Sequence, residues 1–232
     1  MKFFSILFAI ALAAGVASAQ SYQPKLVKSS FAQGYIPLGF DSNDQVQLVG
    51  EGILPNTCYK PAATTWTVRG DKIVVAPKAL LYNGYCLEVL VPHNEVVDLG
   101  VLPAGNYTVV HEDSGQKLGE LTVAAATTAS ADDFLYAPIG QAYFRKEGNR
   151  NLITLSGAFS NSCMQMTDIK LNVQEKVIVV QPIVKMTSAT NCQGGNFPFQ
   201  FSSELKNARA GRYLLHVRAL NGKAVNNLID IN

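Results

Sequence analysis

The segment Gly52-Ile53-Leu54-Pro55-Asn56-Thr57-Cys58 returns later in the chain as Gly157-Ala158-Phe159-Ser160-Asn161-Ser162-Cys163. Around it, Lys72-Ile73-Val74-Val75-Ala76-Pro77 returns as Val177-Ile178-Val179-Val180-Gln181-Pro182. Cys86 has its counterpart in Cys192, and Ala104-Gly105-Asn106-Tyr107 in Ala210-Gly211-Arg212-Tyr213. The offset stays at about 105 residues, which marks a tandem duplication of one unit. The first unit is placed at 35–124 and the second at 134–232, each large enough for its own core. Residues 125–133 between them are small and lack hydrophobic anchors, so they read as a linker.

Within each unit, short runs of Val, Ile, Leu, Thr and Tyr alternate with Gly, Pro, Asn and Asp clusters, the punctuation of an all-β fold. In the first unit, strands are expected near 45–50, 65–68, 72–76, 87–91, 94–98, 107–112 and 117–123. Gln45-Val46-Gln47-Leu48-Val49 has the two-residue alternation of a half-buried strand. Asp113-Ser114-Gly115 and Asn221-Gly222 are turn signals between the last two strands of each unit. No stretch sustains a helical period, so helix is expected to be minor.

The repeat also chooses a disulfide pairing. Four cysteines allow three connectivities, but each unit carries one pair at matching places, which selects Cys58–Cys86 and Cys163–Cys192. Disulfides require an oxidising compartment. The N-terminus agrees: Lys2, the apolar run Phe3–Val16 and the small residues Ala17-Ser18-Ala19 form a signal peptide, expected at 1–19. After it comes an N-terminal arm, 20–34, and no later apolar run reaches membrane-spanning length. The expected location is exported, either periplasmic or extracellular.

Charged residues are 16% of the chain against an average of about 25%. The formal net charge is +2, with cations scattered, so nothing offers a phosphate backbone an electrostatic footprint. Nucleic acid is excluded as a partner.

Leu102-Pro103-Ala104-Gly105-Asn106-Tyr107-Thr108-Val109 and Ala208-Arg209-Ala210-Gly211-Arg212-Tyr213-Leu214-Leu215 share a Gly-x-Tyr-x-apolar ending. This resembles the tyrosine corner of immunoglobulin-like sandwiches, and seven short strands per unit agree with it. The chain is thus similar to bacterial exported tandem immunoglobulin-like or fibronectin-like β-sandwich domains. The resemblance implies two such sandwiches, with Tyr107 and Tyr213 as structural corners. It departs from antibody domains in having Val109 and Leu215 two residues after the tyrosine, where those carry a cysteine.

The chemistry-bearing motifs are sparse. His111-Glu112-Asp113 runs into a turn and reads as ordinary surface polarity, and His216 reads as structural. Asp41-Ser42-Asn43-Asp44 lacks the glycine and distal glutamate of a calcium loop. Ser114 with Lys117 and Ser203 with Lys206 have catalytic spacing but lie outside a helix. Arg69-Gly70-Asp71 sits between two strands and reads as a hairpin turn. No catalytic residue, cofactor or metal is therefore assigned.

The candidate binding surface lies beside the second cysteine of each unit. Tyr82-Asn83-Gly84-Tyr85-Cys86 and Asn191-Cys192-Gln193-Gly194-Gly195-Asn196-Phe197-Pro198-Phe199 combine aromatics with Gly and Asn, a paratope-like mixture. The candidates are Tyr82, Tyr85, Asn196, Phe197 and Phe199. The alternative is that these aromatics fill the core beside the bridge. The functional expectation is a non-enzymatic binding or structural protein of a bacterial envelope, recognising a protein or glycan, with the two units adding avidity. An inhibitor- or chaperone-like module is the alternative, and an envelope-polymer hydrolase a more distant one.

Overall fold

The computed structural model describes residues 23–188 and 191–232, so the signal segment expected at 1–19 lies outside the described residues. The first unit contains β1 (Lys25–Lys28), β2 (Gln33–Tyr35), β3 (Phe40–Asp41), β4 (Val46–Leu54), β5 (Tyr59–Arg69), β6 (Lys72–Leu81), β7 (Val91–Gly100), β8 (Gly105–His111) and β9 (Lys117–Ala124). The second contains β10 (Ile139–Glu147), β11 (Arg150–Asn161), β12 (Met164–Gln174), β13 (Val177–Met186), β14 (Gly194–Glu204), β15 (Gly211–Ala219) and β16 (Lys223–Ile231). A short 3-10 turn, Leu220–Gly222, joins the last two strands, where Asn221 and Gly222 take the positive φ that this turn needs.

In the first unit a three-stranded sheet, β2-β4-β7, faces a sheet built on β5, β6, β8 and β9, with β1 and β3 added at its margins. The second unit repeats the scheme as β10-β11-β14 and β12-β13-β15-β16. Period-two alternation fills the space between the sheets. Ile73 and Val75 of β6, Tyr107 and Val109 of β8, and Leu48 of β4 meet Phe31 and Leu121 in one cluster. Ile153, Leu155, Ile178, Val180, Leu215 and Val217 do the same in the second unit.

One connection differs from the immunoglobulin pattern. β6 runs parallel to β8, and β13 parallel to β15, whereas the two sheets of an immunoglobulin sandwich are antiparallel throughout. The cause is the intervening strand: β7 crosses to the opposite sheet and the chain returns in β6's direction, so β8 docks parallel on its edge. The all-β sandwich reading holds in a different weave.

The repeated glycine has a steric reason. A Cβ on Gly157 would lie 2.1 Å from the Pro138 carbonyl oxygen, and one on Gly52 would lie 2.4 Å from that of Ser30. In both units an incoming segment crosses directly over β4 or β11 at this point, and only glycine leaves room.

From residue 23 on, the N-terminal arm is captured by the first unit. β1 pairs with the end of β6, Lys25 opposite Leu81, and Phe31 enters the core. The strand expected at 87–91 does not form; residues 82–90 are a loop and β7 begins at Val91. The alternation of Leu87, Val89 and Val91 imitates a strand, yet the Val89 amide donates to the nearby Leu87 carbonyl and the segment has no ladder partner among the described residues.

The two units are docked on each other. Along β15, Tyr213, Leu215, Val217 and Ala219 face the second unit's core, while Leu214, His216 and Arg218 point to the first unit. Leu214 joins Val177 and Val179 against Tyr35 and Val49. Polar bonds frame this apolar contact. Arg212 bridges Glu51 and Asp230, each at 2.7 Å, and Lys176 donates to Gln33 at 2.7 Å. His216 Nδ1 donates to Asn226 at 2.7 Å, and Asn226 donates to Gln47 at 3.0 Å. Arg218 pairs with Asp44 at 3.3 Å, donates to the Gly39 carbonyl and lies over the Phe40 ring. The Asn43 amide holds the carbonyls of Thr128 and Ser130, which ties the connecting segment down as well.

Candidate functional site

Each disulfide sits in the same small hydrogen-bonded frame, dictated by the repeated Asn-Thr/Ser-Cys. Asn56 Oδ1 accepts the Cys58 amide at 3.1 Å, and Asn161 Oδ1 accepts the Cys163 amide at 3.0 Å. This is the Asx turn that asparagine favours. The next hydroxyl grips the residue after the second cysteine. Thr57 Oγ1 accepts the Leu87 amide while the Thr57 amide donates to Leu87, and Ser162 and Gln193 exchange the same pair. Cys58 is thereby bonded to Cys86 and Cys163 to Cys192, with Cα separations of 5.3 and 5.4 Å. The pairing deduced from the repeat is the one present.

Beyond the second cysteine the two units diverge. In the second unit β14 starts two residues after Cys192, so Asn196, Phe197 and Phe199 lie on a strand instead of a loop. Phe197 and Phe199 pair with Phe159 and Gly157 of β11, and Phe199 stacks on Phe159 with centroids 4.3 Å apart. Both pack against the core cluster. Here the aromatics fill the structure, because an unbroken ladder carries them onto its surface.

In the first unit no ladder among the described residues captures the equivalent segment. Tyr82 and Tyr85 are exposed, Tyr85 fully so. Leu87 and Leu90 are each 69% exposed, and Val89 is also open. Sequence reasoning found the two tyrosines but assigned the three aliphatic residues to a strand. The loop is nonetheless held at its base by the disulfide, by the Thr57 bonds, by the Tyr82 amide donating to Cys58, and by Asn56 donating to Glu88. Exposed apolar clusters of this kind mark interaction surfaces on soluble folds.

The other candidates resolve into structural roles. His111 is buried, not a surface group: β8's alternation turns it inward, its Nε2 donates to the Ser29 carbonyl, and its Nδ1 accepts the Asp113 amide. His216 is buried between the units, and burial pushes its pKa down to about 4, so it is neutral. Asp44 of the acidic loop is the partner of Arg218. Burial raises the nearby Asp132 carboxyl, helped by the Asp44 charge. Arg69-Gly70-Asp71 turns between β5 and β6, with Gly70 at φ +65°. The Tyr107 hydroxyl donates to the Pro103 carbonyl at 2.9 Å, a tyrosine-corner bond, and Tyr213 is buried at the matching place. Burial works to raise the Glu51 carboxyl, but the bonds it accepts from Arg212 and Tyr35 outweigh it and hold the group below its ordinary value. Burial and that carboxylate push Tyr35 up to about 12.

A cleft of about 670 Å³ runs along the seam between the units, floored by Ile36 and Leu38 and rimmed by Gln33, Lys117, Glu120 and Lys176. Among the described residues no group of three or more His, Cys, Asp or Glu is placed to hold a metal ion. No helix of the described residues is long and apolar enough to cross a membrane.

The fold and its pinned loop define a duplicated, disulfide-bonded β-sandwich protein. Residues 49–123, from within β4 into β9, match the family model described as the ORF11 beta-sandwich domain. No curated protein and no solved structure matches the chain.

Proposed function

We propose that this is an exported, non-enzymatic binding protein that docks to its target through the Tyr82–Leu90 loop of the first unit. The observation that supports the reading is the exposure of Tyr82, Tyr85, Leu87, Val89 and Leu90 on a loop whose base is covalently and hydrogen-bond fixed. A loose loop would lose ordering entropy on binding; this one is ordered in advance. The second unit acts as a rigid support. Its equivalent aromatics are used in packing, so the reading places recognition on the first unit.

A photo-crosslinking residue at position 85 tests this, with position 193 in the second unit as the comparison. Adducts with native extracellular material should form at 85 and be scarce at 193. Equal yields at both positions would sink the proposal.

A further inference from the structure

The target's chemistry can be read from the loop's surroundings, a step that rests on the docking role proposed for that loop. Its exposed apolar and aromatic side chains are three aliphatics and two tyrosines, and Asn83 and Glu88 are its exposed polar side chains. Its one acid, Glu88, is engaged by Asn56. It therefore offers few polar groups to the hydroxyls of a glycan. Its base is cationic. Lys25 of β1 stands opposite Leu81 and Lys60 of β5 opposite Leu80, and these two leucines of β6 lie within two residues of Tyr82. Leu80 and Leu81 point to opposite faces of the strand, so these lysines flank the loop on both sides. Lys78 lies one strand repeat below. Lys28 is paired with Asp113, whereas Lys25, Lys60 and Lys78 make no ion pair among the described residues. Leu26, also exposed, extends the apolar surface along β1.

An apolar tip with interfacial tyrosines and a cationic collar matches the layering of a lipid surface. Aliphatic side chains enter the acyl boundary, tyrosines settle among the headgroups, and lysines meet anionic phosphates. Lysine stems also cover apolar surface while their ammonium groups stay in water. We propose that the Tyr82–Leu90 loop inserts into the interface of a bilayer carrying anionic lipid, with Lys25, Lys60 and Lys78 contacting headgroups.

Co-sedimentation of the purified chain with phosphatidylcholine vesicles, and with vesicles that also contain phosphatidylserine, tests this. The chain should pellet preferentially with the anionic vesicles, and less so at high salt. The Leu87→Ser/Leu90→Ser variant should bind about tenfold more weakly or worse, since each leucine contributes its own burial. Lys25→Glu/Lys60→Glu should abolish the preference for anionic vesicles. All these positions are exposed, so thermal unfolding of the variants should match the wild type. Tyr85→Trp should shift its emission to the blue with vesicles and be quenched by brominated lipid.

Absence of pelleting, or pelleting indifferent to the leucines, would overturn the lipid assignment. If vesicles are ignored while position 85 still crosslinks a protein, or the chain dimerises through the loop, the lipid assignment falls and docking stands. If position 85 also shows no preference, both fall.

Discussion

Replacing Arg218 with methionine should uncouple the two units. Arg218 and Asp44 are 8% and 5% exposed, and they come from opposite sides of the interface. The pair is not fully satisfied: Asp44 Oδ1 and Arg218 Nε find no hydrogen-bond partner among the described residues. Such a pair adds little net stability against an apolar replacement, yet breaking one side strands a buried charge at a cost of about 3–5 kcal/mol. Arg218→Met leaves the Asp44 carboxylate in that position. Asp44→Asn/Arg218→Met removes the charge and keeps an acceptor for the Asp41 amide, which Asp44 Oδ2 now receives at 3.0 Å. Its cost should fall to about 1–2 kcal/mol, the value of lost hydrogen bonds and packing. Urea unfolding provides the assay. Trp66, the one tryptophan, reports the first unit, and far-ultraviolet circular dichroism reports both. In the wild type the two probes should coincide; in Arg218→Met they should separate as the units unfold independently. A single variant within about 1 kcal/mol of the wild type, or as costly as the double variant, would refute the reasoning.

Single positions elsewhere carry their own expectations. His216 is held neutral, with its pKa lowered by burial from 6.5 to about 4, so the unfolded chain binds more protons in that window. Stability should therefore fall as pH drops from about 6.5 to 4, by about 3 kcal/mol, and His216→Gln should flatten that slope in urea midpoints measured against pH. Gly157→Ala places a methyl 2.1 Å from the Pro138 oxygen and should cost about 2–3 kcal/mol. Gly70→Ala meets open space at φ +65° and should cost only about 1–2 kcal/mol, so thermal unfolding that ranks the two the other way would contradict the packing argument. Cys58→Ser/Cys86→Ser should lose about 3–4 kcal/mol and weaken docking together, whereas Cys163→Ser/Cys192→Ser should lose stability and leave docking unchanged.

Much of this architecture is readable from the repeat. Matching cysteines determine the pairing, and Asn56-Thr57 and Asn161-Ser162 determine the frames that hold it. The parallel β6–β8 and β13–β15 contacts are not readable, because side-chain alternation records which face is buried and says nothing of the neighbouring strand's direction. The same limit explains residues 87–90, whose alternation is real but buried against nothing. The interface left a signal in Tyr213-Leu214-Leu215-His216-Val217-Arg218-Ala219. Apolar residues on both faces of one strand mean two-sided burial, and His216 and Arg218 among them mark the side that needed polar partners. His111 misled because the turn after it is exposed, while the pleat sets its own side chain inward.

Whether the first unit's pinned loop is the docking surface can be decided by a binding isotherm of labelled chain on native extracellular material. Leu87→Ser/Leu90→Ser should abolish saturable binding, while Phe201→Ser, an exposed apolar position on β14, should bind as the wild type does. Wild-type binding by the loop variant, or equal losses in both variants, would contradict a docking role for the loop.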